Sequence, residues 1–216
     1  MEEIKFTFAV DVDEVLRSLV PGMVNIYNRE FPDAHMRYED VTDFVVENTF
    51  PFIEQRTEYK ASYWFFQLHG EELFCHSPEC KGALEAFNKL KQRGKVVIVT
   101  YQKTDANKQC TLNWLSKHGF EADGICFLKD KTLLHADFLI DDNLWNFMGT
   151  NCKFGIVITA PYNKDANLSD VLAGAQSDGS FVENNMQAIF RYDSLKDFVD
   201  DIDNVFINAR LLQPKG

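Results

Sequence analysis

Positive charge is scarce in this chain: 22 lysines and arginines stand against 33 aspartates and glutamates, a formal net charge of −11. Such a field repels polyanions and anionic lipid surfaces, so neither nucleic acid nor membrane is an expected partner. Long apolar runs are missing too, and no stretch approaches the ~20 residues needed to cross a bilayer. The opening Met1-Glu2-Glu3 is acidic and leads into a strand, unlike a secretory signal, which points to the cytoplasm. Cysteine is limited to five residues (75, 80, 110, 126 and 152), an odd set with no CxxC pair. These are expected to be free thiols in a reducing compartment. Cys75, His76 and Cys80 offer too few ligands for a structural zinc. No internal repeat and no low-complexity tract is present.

What is present is an alternation of apolar strands and helices. At 216 residues the chain can bury one core and carry a small insert. Strands are expected at 4–10, 95–99, 124–128, 136–140 and 154–159, with a short sixth segment at 187–191. Helices are expected at 105–118 and 194–206, the second carrying Leu195, Phe198, Val199, Ile202 and Phe206 on one stripe. Apolar strands separated by helices predict an α/β fold with a parallel sheet of about five strands covered on both faces. The largest departure is a helical insert after the first strand, with helices near 16–27, 40–48 and 57–69. The expected division is a core of residues 1–16 and 82–216 and a helical cap of residues 17–81. Within the cap, Tyr63-Trp64-Phe65-Phe66 cannot all face one core at 3.6 residues per turn. Tyr63, Trp64 and Phe66 are therefore candidates to line a pocket for a flat ligand. The polar 164–187 stretch is read as a surface excursion without a role.

The first strand runs directly into Asp11-Val12-Asp13, two carboxylates at i and i+2 with Glu14 beside them. Like charges this close cost free energy unless a cation or a shifted pKa relieves them. Ligands of open parallel sheets gather at the carboxyl ends of the strands. Those ends carry Asp11 and Asp13, Thr100, and Asp141 and Asp142, with Lys131 ten residues before Asp141. Carboxylate oxygens suit Mg²⁺, a lysine balances charge, and a threonine hydroxyl donates to an anion. The set describes a phosphoryl-transfer site with a carboxylate nucleophile.

These residues resemble the haloacid dehalogenase superfamily of phosphatases, whose motifs are DxDx, a Thr or Ser, a lysine and a paired acid. Here they look like Asp11-Val12-Asp13-Glu14, Val97-Ile98-Val99-Thr100, Lys131, and Asp137-Phe138-Leu139-Ile140-Asp141-Asp142. Within the superfamily the chain is most similar to the 5′(3′)-deoxyribonucleotidases of the cytosolic and mitochondrial type. The segments Asp130-Lys131-Thr132, Gly82-Ala83-Leu84-Glu85-Ala86 and Ala160-Pro161-Tyr162-Asn163 carry that likeness. The resemblance implies a Rossmann-like core with a cap, and a Mg²⁺-dependent phosphomonoesterase acting on nucleoside monophosphates, pyrimidine deoxynucleotides first. It implies Asp11 as nucleophile, Asp13 as general acid/base, Thr100, Tyr101 and Lys131 around the phosphate, and metal ligation by Asp11, the Asp13 carbonyl and Asp142, with Asp141 in support. A homodimer is the assembly considered. Two positions depart from the pattern: Glu14 where the family usually has Gly, and Tyr101 where it often has Ser. Other readings stay open: a phosphatase for another small phosphoester, a non-catalytic binding protein on the same fold, and a dehalogenase, against which Asp13 weighs.

Overall fold

The computed structural model describes residues 6–175 and 180–211. Six parallel strands form one sheet: β1 (Phe6–Val10), β2 (Gly94–Thr100), β3 (Gly124–Phe127), β4 (Phe138–Asp141), β5 (Phe154–Ile158) and β6 (Ala188–Tyr192), in the order β3-β2-β1-β4-β5-β6. The sheet expected to hold about five strands has six, the sixth supplied by the short 187–191 segment. Its Ala188 pairs in register with Phe154 on β5. The expected start of β1 at residues 4 and 5 lies outside the described residues. The order reverses direction between β1 and β4, so the carboxyl ends of those two strands open a crevice, the usual ligand position in such sheets.

The helices are α1 (Leu19–Glu30), α2 (Val46–Thr49), α3 (Pro51–Arg56), α4 (Ala61–Tyr63), α5 (Gly70–His76), α6 (Ala83–Arg93), α7 (Asp105–His118), α8 (Leu168–Leu172), α9 (Leu195–Asp200) and α10 (Ile202–Leu211). Helix α7 forms as its pattern predicts, with Thr104 capping the Asn107 N–H and Gly119 in the left-handed region as the stop. The C-terminal stripe is buried as expected, but the helix breaks at Asp201, whose carboxylate accepts the Tyr192 hydroxyl. Alternating side chains of the strands feed two cores, one on each sheet face. Phe8, Phe138 and Phe198 mark one; Leu139, Phe147 and Val157 mark the other.

Residues 19–74 hold a separate apolar core around Tyr27, Phe50, Phe65 and Leu73. The long helices expected at 40–48 and 57–69 are broken into short pieces here. Proline opens α3 at its first position, and Trp64–Leu68 adopts a π-helical turn after α4. That turn resolves the four-aromatic run. Tyr63 is half exposed, whereas Trp64 and Phe65 are buried in the cap core.

The cysteines correct a second expectation. Cys75 on α5 and Cys110 on α7 form a disulfide, while Cys80, Cys126 and Cys152 are free. Their count therefore no longer argues for a reducing compartment. Among the described residues, no helix is long and apolar enough to cross a membrane.

Candidate active site

Strand β1 delivers Asp11 to the crevice floor, where its carboxylate is nearly enclosed. Asp11 Oδ2 accepts the Asp13 N–H at 3.1 Å, and Oδ1 accepts the Lys131 ammonium at 2.5 Å. Lys131 reaches this point from a 3₁₀ turn over Lys131–Leu133, which Asp130 caps through the Thr132 N–H. The same ammonium donates to Asp141 Oδ2 at 2.5 Å, so one buried cation bridges the ends of β1 and β4. Its third N–H has no partner among the described residues. Asp141 is further held by the Asn143 N–H and the Asn146 amide. Asp142, next along the chain, accepts the Tyr162 hydroxyl, while its carbonyl takes the Asn163 amide at 2.7 Å.

Three buried carboxylates, Asp11, Asp141 and Asp142, offer oxygens all within 4.8 Å of one another. Burial pushes the Asp11 carboxyl up to about 7, with Asp141 and Asp13 adding to the rise against the pull of Lys131. Burial first, then the charges of Asp141 and Asp11, also holds Asp142 well above the carboxylate range. For Lys131 burial works downward, but Asp11 and Asp141 outweigh it and keep the group protonated. One ammonium cannot neutralise three carboxylates, and the surplus negative charge is what a divalent cation would relieve. The donors are all hard oxygens, which suits Mg²⁺. Asp141 is saturated by Lys131 and two amides, so the oxygens of Asp11 and Asp142 are the better placed to hold a cation.

Above this floor lies a cavity of about 820 Å³ between sheet and cap, a size suited to a small organic ligand. Asp11, Asp13, Thr100, Tyr101, Lys131, Asp141, Asp142, Tyr63 and Phe66 all line it. Thr100 is buried at the end of β2, and Tyr101 stands half exposed at the mouth. Trp64 is the exception among the sequence candidates. Its indole packs on Phe31, Phe65 and His69 inside the cap and is absent from the cavity wall. Tyr63 and Phe66, three apart across the π turn, take the exposed side.

Further lining residues stand outside the expected site set. Tyr162, in a segment whose turn chemistry dominates its sequence signal, faces the cavity, whereas its neighbour Asn163 is buried and braces the turn. Glu14 adopts φ +57, the left-handed region that favours glycine, which explains why Gly is usual there. Its carboxylate accepts the Val20 N–H at 2.7 Å at the start of α1 and lies 3.5 Å from the Tyr38 hydroxyl. Burial lifts it to about 7. The strain at Glu14 thus accompanies a bond that ties the Asp11–Glu14 loop to α1.

A six-stranded parallel sheet with this acid-lysine-threonine floor and a helical cap is a fold shared with haloacid dehalogenase-like hydrolases. More narrowly, the chain belongs to the family described as 5′ nucleotidase, deoxy (Pyrimidine), cytosolic type C protein, whose profile it matches over residues 5–175. A relative from Chlorobaculum tepidum, whose name gives it provisionally as a 5′(3′)-deoxyribonucleotidase, is 33% identical over 85 residues. That alignment covers 36% of this chain and 42% of the relative, less than half of either. Among solved structures, a haloacid dehalogenase-like hydrolase from Streptococcus pneumoniae superposes with a TM-score of 0.57 at 14% identity, covering 94% of this chain and 98% of its own. A hydrolase of the same family from Deinococcus radiodurans, solved with bound phosphate and sodium, gives 0.54 at 10% identity, over 99% and 100%. The L-2-haloacid dehalogenase of Xanthobacter autotrophicus gives 0.53 at 9% identity, over 93% and 99%. At these identities the structural likeness is one of fold alone.

Proposed function

We propose that this chain is a Mg²⁺-dependent phosphomonoesterase that dephosphorylates nucleoside monophosphates, pyrimidine deoxyribonucleotides first, through a phosphoryl group carried on Asp11. The reading rests above all on the convergence of Asp11, Asp142, Thr100 and Lys131 on one cavity that Tyr63 and Phe66 also line. The family to which the chain belongs supports the same substrate class.

In this reading Asp11 attacks phosphorus with the oxygen not engaged by Lys131. The Asp13 N–H and the Lys131 ammonium hold its carboxylate in place. Asp13 gives a proton to the leaving ester oxygen and later takes one from the attacking water. The free N–H of Lys131 and the Thr100 hydroxyl donate to phosphate oxygens as charge builds there. A divalent cation held by Asp11, Asp142 and the Asp13 carbonyl would supply charge neutralisation of the phosphate. Tyr63 and Phe66 give flat apolar surface for a base, and the cap excludes water from the phosphorylated carboxylate.

The test is a phosphate-release assay across dUMP, dTMP, dAMP, ribonucleotides and sugar phosphates, with Mg²⁺ and with chelator. Turnover of pyrimidine deoxynucleotides that stops on chelation is expected. Turnover confined to sugar phosphates would overturn the nucleotide part, and full activity in chelator the metal part.

A further inference from the structure

Arg17 is a fully buried cation that neither the sequence motifs nor the chemistry above employs. It lies where the chain leaves the core for the cap, its backbone bridging both Asp13 and Glu79 on the returning segment. Each of its guanidinium nitrogens donates a hydrogen bond. Nε and Nη2 both donate to Asp13 Oδ1, at 2.9 and 2.7 Å. Nη1 donates to the Phe74 carbonyl of α5 at 2.6 Å, and Nη2 also reaches Thr111 Oγ1 of α7 at 3.2 Å. The rings of Phe74 and Trp114 lie 5.1 and 5.4 Å from the guanidinium carbon. The cradle is braced covalently, because Phe74 and Thr111 each adjoin one half of the Cys75–Cys110 disulfide.

The guanidinium grips only one oxygen of Asp13. Oδ2 is left with the Gln102 amide at 3.1 Å, and Asp13 lines the cavity. A guanidinium stays protonated, so it cannot itself exchange the proton. What it can supply is orientation, and its planar array of donors holds a carboxylate more rigidly than an ammonium would.

We propose that Arg17 is a positioning residue: it fixes Asp13 so that Oδ2 carries the exchangeable proton, and it ties that orientation to the cap through Phe74. The inference rests on Asp13 being the acid/base of the proposed reaction. As the ester P–O bond breaks, the proton on Oδ2 passes to the leaving oxygen. Asp13 then recovers a proton from the water that attacks the phosphorylated Asp11.

A poor leaving group needs this proton and p-nitrophenolate does not, which separates positioning from support of the fold. The experiment compares kcat/KM for dUMP and for p-nitrophenyl phosphate in wild type, Arg17→Met, Arg17→Lys, Asp13→Asn and Asp11→Asn. In Arg17→Met, dUMP turnover is expected to fall about a hundredfold and p-nitrophenyl phosphate by less than tenfold, with partial recovery in Arg17→Lys. Equal losses on both substrates, or no loss, would overturn the inference. If Arg17→Met does not fold, Thr111→Val carries the same comparison, with a smaller selective loss expected and an equal loss counting against it. Should Asp11→Asn keep wild-type turnover, or Asp13→Asn leave the substrate ratio unchanged, the reading of the site fails instead.

Discussion

Asp11 sits in a tension that has a measurable consequence. Its carboxyl titrates near 7 in the folded, metal-free protein against an ordinary 3.8, mainly through burial. A carboxyl raised on folding contributes stability that is complete below its unfolded pKa and lost as pH climbs through the folded one. Asparagine has no such loss. The melting temperature of metal-free Asp11→Asn should therefore gain on wild type between pH 5 and pH 8, by roughly 5–10 °C, as thermal unfolding in chelator would read. A constant difference across that range would mean that Asp11 keeps its ordinary affinity for protons. Tyr162 permits a second test. Tyr162→Phe removes the hydroxyl that orients Asp142, and the Mg²⁺ concentration for half-maximal turnover should rise about tenfold, with kcat at saturating metal little changed. The acids and Thr100 were legible in the sequence because strand ends announce themselves through apolar runs, and Lys131 through its likeness to the family's lysine motif. Arg17 and Gln102 were not, since their roles depend on partners such as Phe74, 57 residues away from Arg17, and Asp13, 89 away from Gln102.

Elements differ in how far local sequence decides them. The strands and α7 form nearly where their patterns put them, because a buried apolar run and a cap-to-glycine helix need no outside help. The cap differs. Its aromatics serve both a small core and a cavity wall, and a π turn at Trp64–Leu68 divides them in a way that no 3.6-residue period anticipates. That is why Tyr63 and Phe66 line the cavity while Trp64 packs inside the cap. Packing within the sheet is tight at β5, where a Cβ on Gly155 would meet Met186 Sδ at 2.7 Å, Phe147 Cδ1 at 2.9 Å and Ile189 Cγ1 at 3.0 Å. Gly155→Ala should cost about 1–3 kcal/mol by overpacking. Thermal unfolding would register this, and an unchanged melting temperature would show that the layer yields freely.

At the scale of the whole molecule, cap and core meet along α5 and α7, joined by the Arg17 cradle, the Trp114 indole bond to the Ser77 carbonyl and the Cys75–Cys110 disulfide. The disulfide closes a separation of 35 residues, worth about 2–4 kcal/mol in a chain-entropy account. Dithiothreitol should lower the melting temperature of wild type but not of Cys75→Ser; equal behaviour of the two would mean that the thiols are unpaired in solution. The central claim, however, concerns the crevice that this junction closes. Phosphate release from dUMP in Mg²⁺ by wild type and by Asp11→Asn tests it most directly. The account predicts a loss of roughly 10³-fold or more in the variant, with the fold intact by circular dichroism. Turnover by Asp11→Asn within tenfold of wild type would contradict it.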